Sequence, residues 1–279
     1  MRSLGIDVGV GKGLDVVLLD DRLVPLHVSS RVRVSDVQHL IGDLHPDVIA
    51  IDSPPRWAAS GRSRLTEREL AALNISSFNT PSEAHGVGNR FFAWIEVGFE
   101  VFTEAAAAGF PTYSAGSPRG KALEVFPHAT AVVLAGCLAP KAARKHVWRS
   151  AVLRAQGVRT DELASPDRVD AALAALTGLY ALEGKRFAPG DPREGVIVVP
   201  SASLPAVPYR PGTAVPRDAQ PLFAYCACGD PVCDRLVRGE FAPGHDAKRK
   251  ARLWAQARDG AEALDELKNR GWKKPPEMR

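Results

Sequence analysis

The chain has 279 residues, 45% of them hydrophobic and 24% charged, with 36 Lys and Arg against 32 Asp and Glu for a net charge of +4. That composition excludes a disordered, collagen-like or mucin-like chain, and no run approaches the ~20 apolar residues needed to cross a bilayer. Asp7 and Asp15 fall where a secretory signal would place its apolar stretch, so the sequence reads as a cytoplasmic protein with no membrane partner. The mild positive charge permits a nucleic-acid partner without requiring one, and it is uneven: residues 238–279 hold 11 basic and 7 acidic side chains.

In chain order, SLGIDVG, GLDVVLLD and VPLHVSSRVRV predict three extended segments that open a sheet as a hairpin or meander. Residues 35–44 suit a short helix. VIAIDSP then reads as a strand buried on both faces. A loop covers residues 56–64, and the Thr66/Glu69 spacing is that of a capping box, placing a helix start there. Residues 91–108 predict a helix with a Phe91, Trp94, Ile95 and Phe102 stripe. A short strand over 122–126 carries Glu124 and stops at Pro127. A basic helix follows over about 141–156.

The stretch SPDRVDAALAALTGLYALEG predicts a helix with Ser165 as N-cap, Pro166 in its first position, and Val169, Leu173, Leu176 and Tyr180 on its apolar face. EGVIVVP is a last strand. Six prolines between 200 and 221 then exclude a helix or central strand. The expected organisation is a main domain over 1–200, a Pro-rich linker or strap over 201–222 and a small module over 223–279.

Acids recur at the strand ends. Asp7 lies in the first strand and Asp52 at the carboxyl end of the buried one, while Asp167 and Asp170 stand three apart on one side of a helix. A carboxylate in an apolar strand is costly unless it is paired, protonated or bound to a cation. A shared cation accounts for the whole set, with Glu124 as a further limb. Local explanations also exist for each: Asp52 caps its own turn, Asp7 orders a glycine turn or holds Lys12, Asp167 complements a helix dipole, and Glu124 pairs with Arg119 or Lys121. Hard cations such as Mg²⁺ or Mn²⁺ take oxygen ligands, and two of them about 4 Å apart activate water and stabilise the leaving oxygen of a phosphodiester.

The stretches GIDVG, IAIDSP, LEVFP and PDRVDAALAAL, in that order, resemble the domain-of-unknown-function family 429 over about residues 3–200. The resemblance implies an α/β ribonuclease H-like fold, a mixed sheet flanked by helices, and nuclease activity. Carried onto this chain, it implies acids on the first strand (Asp7), on the fourth (Asp52) and on a late helix (Asp170 with Asp167), with Glu124 beside the metal. Sugar kinases and actin-like ATPases share the superfamily, and GIDVGVGKG would approach ATP phosphates in that reading. No second Asp-Gly phosphate loop follows residue 150, however, and GVGKG lacks P-loop spacing. A third reading keeps the fold as a non-catalytic nucleic-acid-binding or scaffolding protein.

Cations suited to DNA or RNA phosphates follow the acids. Arg56 and Arg64 come after the Asp52 strand, and Lys145 and Arg149 lie in an acid-free stretch over 141–159. Trp148 sits among them, as a core residue or a base-stacking one. At the C-terminal end Cys226, Cys228, Cys233 and His245 offer three thiolates and an imidazole for tetrahedral Zn²⁺, although the one-residue gap between the first two departs from common knuckles. PGHDAKRK resembles short Cys-rich tails of unknown function. Lys248 and Arg249 near that helix start suit phosphate better than they suit the helix dipole.

Overall fold

The computed structural model describes residues 1–141 and 143–212. The apolar runs before Ser53 form four strands. β1 (Arg2–Asp7), β2 (Leu14–Asp20) and β3 (Pro25–Val32) make an antiparallel meander, as their turn-separated runs predict. A 3₁₀ turn leads into α1 (Val37–Leu44), which ends at His45 in the left-handed region. β4 (Val48–Asp52) then returns parallel to β1.

The next helix, α2 (Leu65–Ala72), begins one residue before the predicted start. Its cap is different too: Glu67 reaches back to the Arg64 backbone N–H, and Thr66 instead accepts a hydrogen bond from the backbone N–H of Ile197. α3 (Glu83–Gly86) is a single turn. α4 (Ala93–Ala107) buries Ile95 and Phe102, but Phe91 lies before it and is 59% exposed, so the predicted stripe does not face the core as a unit.

β5 (Ala122–Val125) leads into α5 (Pro127–Ala135), a helix with no predicted counterpart. Its sequence, PHATAVVLA, has no polar face because α6 and α7 cover it, and periodicity had nothing to register. Pro127 begins that helix as well as ending the strand, consistent with proline's preference for the first turn. α6 (Lys145–Ala155) is shorter than expected, and its Trp148 is fully buried, which assigns that ring to the core and excludes base stacking. α7 (Pro166–Leu182) has the predicted Ser165 cap, with the hydroxyl accepting from the Arg168 N–H. β6 (Gly190–Asp191) and β7 (Gly195–Val198) complete the sheet.

The strand order is β3-β2-β1-β4-β5-β7-β6. β1, β4, β5 and β7 run parallel and the remaining pairings are antiparallel. This mixed sheet flanked by helices is the α/β, ribonuclease H-like arrangement that the family resemblance implies. Alternation divides its two faces. Leu4, Ile6, Ile49 and Ile51 pack with Val101 and Phe102 beneath α1 and α4. Val17 and Leu19 of β2, with Val48 and Ala50 of β4, face α7 instead.

α7 lies on β1 almost backbone to backbone. A Cβ at Gly5 would stand 1.9 Å from the Ala171 carbonyl oxygen, and one at Gly178 would stand 2.1 Å from Ser3 Oγ. The small residues Gly5, Ala171, Ala175 and Gly178 therefore fix the seat of the helix. Its leucines add the usual burial term, about 1.5–3 kcal/mol for each fully buried side chain. Residues 209–212 cross the ends of α2 and α5: Tyr209 donates its N–H to the Leu73 carbonyl, and Leu138 exchanges backbone hydrogen bonds with Arg210 and Gly212. Among the described residues no helix is long and apolar enough to cross a membrane.

Candidate active site

β1 and β4 both end on an aspartate, and their parallel register places Asp7 directly beside Asp52. The antiparallel register of the first hairpin places Asp15 on the other side of Asp7. Three acids from three adjacent strands thus form one row on the α7 face. The first two turns of α7 bring Asp167 and Asp170 over this row, because the Gly5 contact seats the helix against β1.

The acids perturb one another. Burial, then the charges of Asp170 and Asp167, push the Asp7 carboxyl up to about 7 even though Lys12 opposes the shift. Burial, then Asp7 and Asp170, hold Asp52 well above the ordinary carboxylate range. The neighbouring Asp7 carboxyl therefore raises Asp52 beyond what burial alone would do. Asp170 is raised by burial, against an ion pair from Arg149 at 2.5 Å to its Oδ2. Its Oδ1 is buried and has no hydrogen-bond partner among the described residues.

A second grouping shares Asp7. One oxygen each from Asp7, Asp15 and Asp167 lie within 4.8 Å of one another. Lys12 Nζ stands 2.5 Å from Asp167, and Asp15 accepts the Ser30 hydroxyl, with Arg168 Nε 4.0 Å away. The sequence reading did not include Asp15 in the site. The available signal was the hairpin itself: counting back across the turn from Asp7 in a two-residue period arrives at Asp15 on the same face.

Two sequence expectations are corrected here. Glu124 pairs in register with Ile51, so its side chain leaves the sheet on the face opposite Asp52. There Arg64 takes both of its oxygens, through Nη1 at 2.7 Å and Nη2 at 2.5 Å. Arg64 is 1% exposed and also bonds Glu67 through Nε at 3.0 Å, so it holds two buried glutamates together and is closed to phosphate. Burial raises the Glu124 carboxyl despite that guanidinium. Glu67 further accepts the Thr80 N–H at 2.9 Å, tying the loop before α3 to the same cluster.

Of the other expected substrate contacts, Arg56 and Lys145 are exposed, and Arg149 is committed to Asp170. Lys248, Arg249, Cys226, Cys228, Cys233 and His245 lie outside the described residues. Between the two acid groups opens a cavity of about 380 Å³, lined by Asp52, Arg149 and Asp170 on one side and by Arg64, Glu67 and Glu124 on the other. His128, also on its wall, is pushed down to about 4 by burial and the charges of Arg149 and Lys145, so its ring is neutral at pH 7.

The donor set fits a hard divalent cation. It consists of carboxylate oxygens, it repels itself, and one buried oxygen stands free. A mixed seven-stranded sheet flanked by helices, with acids on adjacent strand ends, defines an α/β protein. Residues 5–194 match the model of a family described as "Protein of unknown function (DUF429)", and the chain belongs to that family. No curated protein matches it in sequence. Among solved structures it is similar to Thermus thermophilus RuvC, at 15% identity over 66% of this chain and 97% of that one, with a TM-score of 0.37. It is also similar to T. thermophilus RuvC in complex with a Holliday junction substrate, at 20% identity over 66% and 96% of the two chains, with a TM-score of 0.38.

Proposed function

We propose that the protein is a divalent-metal-dependent nuclease that hydrolyses phosphodiester bonds of DNA or RNA. What supports the reading is Asp7 beside Asp52 at neighbouring strand ends, with the charge of Asp170 acting on both, all three carboxyls raised and Asp170 Oδ1 without a partner among the described residues. Asp7, Asp52 and Asp170 would hold Mg²⁺ or Mn²⁺, with Asp167 and Asp15 assisting through their contact with Asp7. A bound divalent ion would supply an activated water and offset the charge gathering on the phosphate. The chain's own part is to present oxygens from three strands and a helix in fixed positions. Arg149 orients Asp170 and Lys12 orients Asp167, each by an ion pair at 2.5 Å. Arg56 and Lys145 are the exposed cations proposed to meet the substrate backbone.

Asp7→Asn and Asp170→Asn should each abolish cleavage of single- and double-stranded DNA and RNA in Mg²⁺ or Mn²⁺ while leaving the circular dichroism spectrum unchanged. Full cleavage by both variants would end the proposal. A non-catalytic nucleic-acid binder is the second reading, favoured by Lys12 and Arg149, which already neutralise two of the acids. Calorimetric metal titration separates the two, since only the nuclease reading requires uptake that is lost with Asp7.

We propose also that Cys226, Cys228, Cys233 and His245, which lie outside the described residues, hold Zn²⁺ through three thiolates and an imidazole. Zinc content of the full chain should fall from about one ion to none when Cys226 and Cys228 are changed to Ser.

A further inference from the structure

The cavity beside the acids has an aromatic wall that the hydrolytic reading does not use. Phe78, Phe91 and Trp94 line it. Phe78 meets Phe91 with ring centroids 5.8 Å apart at 72°, and meets Trp94 at 6.1 Å and 60°. Phe78 is 64% exposed and Phe91 59%, so two large rings stand open to water at the rim. Their interaction with each other does not bury them, and the segment that carries Phe78 is pinned by the bond from Thr80 to Glu67. Exposed aromatic clusters of this kind mark binding surfaces.

The chemistry of the remaining wall selects the occupant. Asp52, Arg149 and Asp170 open into the same space, and the buried Ser77 Oγ, His128 Nδ1 and Arg149 Nε have no hydrogen-bond partner among the described residues. A lipid or an apolar peptide segment would have to cover those charges and orphaned polar atoms without compensating them. A nucleobase offers a flat π face for the rings and donors and acceptors along its edge for the polar atoms. Its own phosphate would lie toward the carboxylates. The volume, about 380 Å³, is within the range of about 300–1,000 Å³ typical of small-ligand pockets.

We infer that this cavity receives the base of an unpaired nucleotide adjoining the bond to be cut, stacked on Phe78 with Phe91 against its edge, so that the substrate is a nucleic acid with an unpaired or everted base. The inference rests on the nuclease reading and narrows its substrate. It does not depend on turnover.

The full-length protein, with Ca²⁺ replacing Mg²⁺, is titrated into a DNA duplex carrying one unpaired 2-aminopurine in a bulge, into the same duplex with that base paired, and into the RNA versions of both. Binding should quench 2-aminopurine fluorescence only in the bulged molecules, and the DNA and RNA arms identify the preferred backbone. Phe78→Ala and Phe91→Ala should each weaken bulge binding roughly 5- to 150-fold, the range carried by one base–aromatic stack. Affinity for the paired duplex should be unchanged, Phe78→Tyr should restore the loss, and Phe78→Leu should not. Both positions are exposed, so the variants will fold.

Undiminished bulge binding by the Ala variants, or full rescue by Leu, would overturn the inference and assign the rings to another occupant such as residues 213–279 or a second copy. The nuclease reading would then still stand or fall on Asp7→Asn. Failure of the wild-type chain to bind any of the four probes would remove both.

Discussion

Two groups of buried acids stand at the carboxyl ends of neighbouring strands, on opposite faces of one sheet. On the α4 face, Glu67 and Glu124 enclose the Arg64 guanidinium, and every charged oxygen has a partner. On the α7 face, Asp7, Asp15, Asp52, Asp167 and Asp170 gather around Lys12, Arg149 and the more distant Arg168, and Asp170 Oδ1 has no partner among the described residues. Burial is comparable: Glu124 is 4% exposed and Asp7 8%. What separates the groups is hydrogen bonding: the glutamate oxygens are all bonded and make a structural tie, whereas the aspartate group leaves one buried oxygen without a partner among the described residues.

The contrast can be broken in several ways, taken from the largest expected effect. Asn at position 7, 52 or 170 should lower metal-dependent cleavage by on the order of 10³-fold, equivalent to several kcal/mol of lost charge stabilisation in single-turnover assays. Arg64→Ala should instead act on stability, costing about 3–5 kcal/mol in urea unfolding because two glutamates would remain buried without compensation. Were Arg64→Ala as stable as wild type, the structural role given to that cluster would be wrong. Gly5→Ala should cost about 3 kcal/mol, the upper end for overpacking, since its Cβ would collide with the α7 backbone.

Asp7→Asn should move stability in the other direction in metal-free buffer. The Asp7 carboxyl titrates near 7 when folded, above its ordinary 3.8, so the folded state binds the proton more tightly. Stability conferred by that proton is complete below about pH 4, declines as pH rises through about 7, and is absent above it. At pH 8 with chelator the Asn variant should therefore melt roughly 2–4 °C higher than wild type, with the gain vanishing toward pH 4. Added Mn²⁺ should raise the melting temperature of wild type but not of the variant. Smallest is Lys145→Ala, which should weaken nucleic-acid binding alike for all sequences and reduce the salt slope by about one.

Much of this arrangement was legible in the residues. The turn-separated apolar runs around Asp7 and Asp52 give the meander and the parallel return, and SPDRVDAAL gives α7 with its cap. The sequence reading was poorest where partners are long-range. Glu124 was grouped with the aspartates because a strand sequence gives the alternation of its faces but not its register against β4. Arg64 was read as a surface cation because nothing local shows that two glutamates, one of them 60 residues away, close around it. α5 gives no periodic signal because it is apolar on all sides, and the stripe that includes Phe91 records apolarity without recording exposure.

The seating of α7 on β1 has a consequence for how the family can vary. Because two main chains touch at Gly5 and Ala171, the helix is indexed to the strand and has no neighbouring position into which it can slide. The spacing of its acids from those of the sheet is inherited from backbone geometry and owes little to the identity of surrounding side chains. Sequence drift over most of the surface would leave that spacing intact, while one added methyl group at residue 5 would misplace it.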